Sequence, residues 1–119
     1  MDISKLTTNK KLQLARNPNT PVGVLAELAK DDYWRVRYDV AWNPTTPVGA
    51  LMVLAQDDSD GVRRGVAWNV NSTVEALATL LQLELRGKLR KNTLDFIFNH
   101  KNSTDTIKAI IKTVFLGVQ

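Results

Sequence analysis

Apolar positions in the first half of the chain fall at helical spacing, and then the whole pattern returns. Leu25, Leu28 and Ala29 stand at i, i+3 and i+4, and Leu51, Leu54 and Ala55 restate them 26 residues later. Behind each set comes a shorter stripe, Val36 with Val40 and Val62 with Val66, one helical turn apart. The pattern predicts two short helices per 26 residues. No segment keeps up the two-residue alternation of a half-buried strand, so an all-α fold is expected. Polar residues supply the punctuation. Thr20-Pro21 and Thr46-Pro47 read as helix starts, with threonine as N-cap and proline at the first helical position, where its missing N–H is not needed. Asp31-Asp32 and Asp57-Asp58 close the first helix of each pair and offer caps to the second. Asn43-Pro44 ends the second helix, because a residue before proline is driven out of the helical region.

Aligned without gaps, residues 15–40 (ARNPNTPVGVLAELAKDDYWRVRYDV) and 41–66 (AWNPTTPVGALMVLAQDDSDGVRRGV) agree in 15 of 26 columns. A third copy opens at Ala67, where Ala67, Trp68, Asn69, Val74, Ala76, Leu77, Leu80 and Gln82 keep the register. KLTTNKKLQL, before Ala15, fits the second half of a unit, and NHKNSTDTIKAIIKTVF fits another first half. Self-similarity at this period is the mark of a helical solenoid, in which no unit buries its apolar face alone. The chain is therefore read as one domain, an α-α superhelix of about three to four repeats. Its parts are an N-terminal half repeat or cap (1–14), repeats at 15–40 and 41–66, a longer divergent repeat (67–98) and a C-terminal capping helix (99–119).

The divergent unit replaces the aspartate pair with Leu83-Glu84 and the proline with Val70. Leu89-Arg90 align with Val62-Arg63 at an offset of 27, and Asn99 with Asn69 at 30. The three extra residues, about one helical turn, are expected in its second helix. The last helix shows Ile107, Ile110, Ile111, Val114 and Phe115 on one stripe, capped by Thr104.

The stretch NPNTPVGVLAELAKDDYWRVRYDVAWNPTTP resembles the variant leucine-rich repeat, a bacterial relative in shape of HEAT and armadillo repeats. The resemblance covers residues 15–82. It implies short helices alternating in a right-handed superhelix, and it implies no activity, since solenoids of this type are mostly binding scaffolds. Some members of that family carry an iron–sulfur cluster on cysteines. This chain has no cysteine, so neither that cluster, a disulfide nor a thiolate nucleophile is expected.

Composition narrows the setting. No apolar run approaches the roughly 20 residues that span a bilayer, and the N-terminus lacks the apolar stretch of a signal peptide, so no membrane association and a cytoplasmic location are expected. Charge is uneven: residues 1–60 hold seven Lys/Arg against eight Asp/Glu, and residues 61–119 hold nine against four. The basic second half makes a polyanion one candidate partner. The segment RGKLRK concentrates Arg86, Lys88, Arg90 and Lys91 as a candidate polyanion patch, or a solvated helix start.

Reactive groups do not converge. The single histidine, His100, aligns with Pro44 and reads as a helix-end or turn residue, with no second histidine or cysteine for a triad or zinc site. Gly23 and Gly49 lie inside helices, where close packing between units accounts for them. Arg37 and Arg63 share a column; a helical projection puts Arg37 inside the buried arc of Tyr33, Val36 and Val40. The recurring aspartates are their expected partners in a structural ladder.

The aromatic residues are the more informative feature. Trp34, Tyr38 and Trp42 are spaced by four and line one helix edge, and the Trp42 column reads Arg16, Trp42, Trp68 along the units. Arg16, Tyr38, Trp42, Arg64 and Trp68 form the candidate binding face, with packing of each tryptophan over the Asn-Pro turn as the alternative. The sequence thus points to a non-enzymatic helical-repeat scaffold, without a cofactor, that binds a protein or peptide. The alternative is a nucleic-acid-binding module on the basic C-terminal half.

Overall fold

Short polar side chains that bond to backbone mark where the first, third and fifth α-helices end. A computed structural model describes residues 2–86 and 91–115, with side chains for all of these but 91, 92, 114 and 115. The helices are α1 (Thr8–Arg16), α2 (Val22–Leu28), α3 (Trp34–Trp42), α4 (Val48–Leu54), α5 (Asp60–Trp68), α6 (Val74–Arg86), α7 (Lys91–Asn99) and α8 (Asp105–Phe115), after a 3₁₀ turn at Ile3–Lys5. Among the described residues there is no strand. α1 stands 26 residues before α3, and α3 stands 26 before α5. The odd-numbered helices contact one another in series, α1 with α3, α3 with α5 and α5 with α7; α2, α4 and α6 form a second series. Between the two series lies the core. Leu25, Leu28, Leu51, Leu54, Leu77 and Leu80 enter it from the even side, and Val36, Val40, Val62, Val66, Leu94 and Ile97 from the odd side.

Thr20 and Thr46 do not cap the helices that follow them. Both are buried, and their hydroxyls donate backwards, to the Leu14 and Val40 carbonyls at 2.6 Å; Ser72 does the same to Val66 at 2.6 Å. Each of these last-turn carbonyls also accepts one backbone N–H, from Asn17, Asn43 and Asn69, and the buried hydroxyl uses its second lone pair. Pro21 and Pro47 occupy the N-cap positions without a side-chain bond. Thr73, in the same column, does accept from the Ala76 N–H at 3.3 Å. Thr104 caps α8 as expected, accepting from the Ile107 N–H at 3.2 Å. Ile107 and Ile111 are buried there, Ile110 of the same expected stripe is exposed, and the Val114 and Phe115 side chains lie outside the described residues.

The asparagine that ends each odd helix also ties neighbouring units together. Asn43 Nδ2 donates to the Ala15 and Asn17 carbonyls (2.8 and 3.0 Å), and Asn69 Nδ2 to those of Ala41 and Asn43 (2.9 and 2.8 Å). Their Oδ1 atoms accept from the Thr45 and Asn71 N–H groups. His100 takes this position in the next unit. Its Nε2 donates to the Asn69 carbonyl at 2.7 Å, and its Nδ1 accepts from the Asn102 N–H at 3.0 Å. His100 therefore ends a helix, as expected, but belongs to the asparagine column, not the proline column. The offset is 31 (100 minus 69), not 30.

The insertion behind that offset lies in the first helix of the divergent unit, not its second. Among the described residues α6 runs 13 residues against seven in α2 and α4, whereas α7 has the nine of α3 and α5. Leu83 and Glu84 cannot make the turn that stops α2 and α4. In those units Asp31 and Asp57 accept from the N–H two residues on, at Tyr33 (3.1 Å) and Ser59 (3.0 Å). They brace the turn and do not cap the helix, whose N-cap side chains make no such bond. Tyr33, at the N-cap of α3, is exposed and outside the buried arc.

Candidate functional site

Residues spaced by four on α3 meet residues spaced by four on α5. Trp34, Tyr38 and Trp42 form a row of rings, with centroids 5.9 Å apart for the first pair and 5.8 Å for the second. The row continues onto α5 and α7, since Trp42 lies 5.0 Å from Trp68 and 6.3 Å from Phe96. Two glycines make room for it. A Cβ at Gly61 would stand 3.2 Å from the Tyr38 ring, and one at Gly65 would stand 2.7 Å from Trp42 Nε1 and 2.8 Å from Ala41 Cβ. Gly23 and Gly49, expected to be the close-packed glycines, have nothing within 4 Å of such an atom. The close approach is between α3 and α5, where rings lie over the helix.

The same two columns are solved differently one unit earlier. Arg16 replaces the tryptophan and Asp39 replaces the glycine, and they form an ion pair at 2.8 Å. The charge pair and the ring-over-glycine contact are two solutions to one junction.

Burial along the row is graded. Trp34 and Trp68 keep 44% and 43% of their surface open, and Tyr33 keeps 46%. Tyr38 and Trp42 are half-buried, and Trp42 Nε1–H is enclosed without an acceptor among the described residues. The two tryptophans differ: Trp42 is half-buried and packs against its neighbours, whereas Trp68 is open. Beside the row, an open depression of about 670 Å³ is lined by Trp34, Tyr38 and Gly61, by the basic Arg35, Arg37 and Arg64, and by the acidic Asp58 and Asp60. Arg35 stacks over Trp34 at 5.8 Å and Tyr38 at 5.9 Å.

The chain matches no family model, no curated protein and no solved structure. What the surface can bind has to be argued from its own side chains.

Of the candidate face, Tyr38, Trp42 and Trp68 are contiguous through their rings, and Arg64 lines the depression beside Tyr38. Arg16 is committed to Asp39 on the α1–α3 side. Trp34 and Arg35 belong to the same face but not to the expected site, although the spacing of four from Trp34 to Tyr38 and from Tyr38 to Trp42 already placed Trp34 on that edge. Of the polyanion patch, Arg86 is exposed at the end of α6, while Lys88, Arg90 and the Lys91 side chain lie outside the described residues.

Arg37 and Arg63 are structural, as expected. Arg37 Nε and Nη2 donate to the two Asp57 carboxylate oxygens (2.7 and 3.2 Å), and Nη1 donates to the Asp31 and Asp32 carbonyls (2.8 and 3.0 Å). The hydrogen bond to Asp57 holds the guanidinium's pKa above its ordinary value. Lys11 meets Asp31 at 2.7 Å in the preceding unit. Arg63 reaches Glu84 at 3.3 Å, and it also binds Asp60 and the Asp57 carbonyl. Each basic side chain thus joins one unit to an acidic group of the next. Among the described residues no three His, Cys, Asp or Glu side chains are grouped to hold a metal ion, and no helix is long and apolar enough to cross a membrane.

Proposed function

We propose that this chain is a non-enzymatic helical-repeat scaffold that binds a protein or peptide through the aromatic and arginine face of α3 and α5. Its architecture, on this reading, is a right-handed solenoid of the variant leucine-rich repeat kind. Support for the solenoid comes from the serial contacts of the two helix rows and from Cα extents of 53 × 23 × 16 Å, long in one direction. The observation that carries the binding role is the contiguous ring row whose outer members, Trp34 and Trp68, stay more than two-fifths exposed. Large aromatic side chains left open beside a depression are the usual anchors of a protein interface.

The test is capture by the purified chain from a lysate, with and without nuclease, next to the Trp34→Ala/Trp68→Ala variant. Both rings are exposed, so the variant should keep its helical circular dichroism. Bound proteins that survive nuclease and disappear with the variant are the expected result. Binding that nuclease abolishes would transfer the role to nucleic acid, and binding indifferent to the tryptophans would move it off this face.

A further inference from the structure

Resting on that reading of the face, we propose that the depression between α3 and α5 receives the carboxylate side chains of an acidic peptide, held by Arg35 and Arg64. The partners of the three other arginines near these helices point there, whereas Arg86, also without an ion pair among the described residues, lies exposed at the end of α6. Arg16, Arg37 and Arg63 each have a carboxylate of this chain against the guanidinium. Arg35 and Arg64 form no ion pair among the described residues, and both line the same depression. Arg35 is held over the Trp34 and Tyr38 rings, which fixes the guanidinium plane and leaves its N–H groups unspent. Arg64 is half-buried, and a partly desolvated guanidinium is best satisfied by an opposite charge. A carboxylate matches the planar fork of donors that both present.

The two acidic groups in the lining do not cancel these charges. Asp60 is engaged by Arg63, and Asp57, close by, is engaged by Arg37. Asp58 remains, an exposed member of the lining, against two uncommitted arginines. A basic peptide would have to displace Arg35 from the rings it already covers. The open surface of Trp34 next to Arg35 adds a preference for an apolar residue beside the acidic one.

The experiment is selection of a displayed random-peptide library on the immobilised full chain, followed by titration of the enriched peptides. Enriched sequences should carry Asp or Glu beside an apolar residue. Their affinity should fall about tenfold or more for Arg35→Gln/Arg64→Gln, and less for Arg35→Lys/Arg64→Lys, which keeps the charge but not the fork. The lysine variant also guards against a folding defect in the glutamine one. Enriched peptides with no acidic preference that are still lost with Trp34→Ala/Trp68→Ala overturn this proposal and leave the peptide-binding face standing. Peptides indifferent to both the arginines and the tryptophans, or no enrichment at all, overturn both. Mixed-sequence single-stranded DNA that binds through Arg35 and Arg64 where no peptide does would assign the two arginines to phosphate and sink the carboxylate proposal.

Discussion

Gly49 and Gly65 both sit in helices, and a methyl group added to them would meet opposite surroundings. At Gly65 it would lie under 3 Å from Trp42 Nε1 and Ala41 Cβ, on a helix edge that other residues hold in place. Gly65→Ala should therefore destabilise the chain by about 1–3 kcal/mol, the usual cost of overpacking. At Gly49 nothing stands within 4 Å, and the substitution only restricts the unfolded chain and improves helix propensity. Gly49→Ala should stabilise by about 0.5–1 kcal/mol. Urea unfolding of the two variants checks both signs, and equal effects would mean that the Trp42 ring does not rest on Gly65. The sequence drew attention to the wrong pair. Gly23 and Gly49 stand out because they repeat, whereas Gly61 and Gly65 look like places where the repeat fails. Their meaning lies in the neighbouring unit: they are spaced by four because Tyr38 and Trp42 are.

Helices were legible because their causes are local. The spacing of Leu25, Leu28 and Ala29, and the turn residues around them, act within a few positions and can be read without a fold. The joints were not. Asn43 and Asn69 look like ordinary helix-ending residues, yet their side-chain amides reach back to the previous unit. His100 does the same work with a ring nitrogen, and an alignment by residue type placed it one column away. Asn69→Ala would leave the buried Ala41 and Asn43 carbonyls without this donor, at a cost of about 1–3 kcal/mol. Denaturant unfolding measures it, and a loss within error would mean that water replaces the amide. The aspartate ladder was legible in kind, because a recurring arginine in a buried arc needs an acid. Removing Arg37 alone leaves the Asp57 carboxylate, of which only 8% is exposed, with the Ser59 N–H but no cation, so Arg37→Ala should cost about 3 kcal/mol. Replacing both partners by Met and Leu should cost less than that single change. If the double substitution were the worse of the two, the pair would contribute net stability beyond mutual neutralisation.

At the scale of the molecule, each unit is held by its neighbours. α4 contacts α2, α3, α5 and α6, so its buried leucines join the unit on either side. Leu54 is fully buried, and Leu54→Ala should remove about 2–5 kcal/mol. In a globule with one shared core that loss would lower protection everywhere by the same amount. In the stack proposed above, stability is a sum of unit and interface terms, so the loss should concentrate in α2 to α6. Hydrogen exchange on the folded protein separates the two cases. The expected result is accelerated exchange in α3, α4 and α5 of the variant, with the Asn102–Ile111 segment near its original rate. The motivation is the order of contacts: α8 meets α7, and α7 meets α5 and α6. Uniform acceleration along the chain would show that the units unfold as one, and the repeat in the sequence would then describe how the fold is built but not how it comes apart.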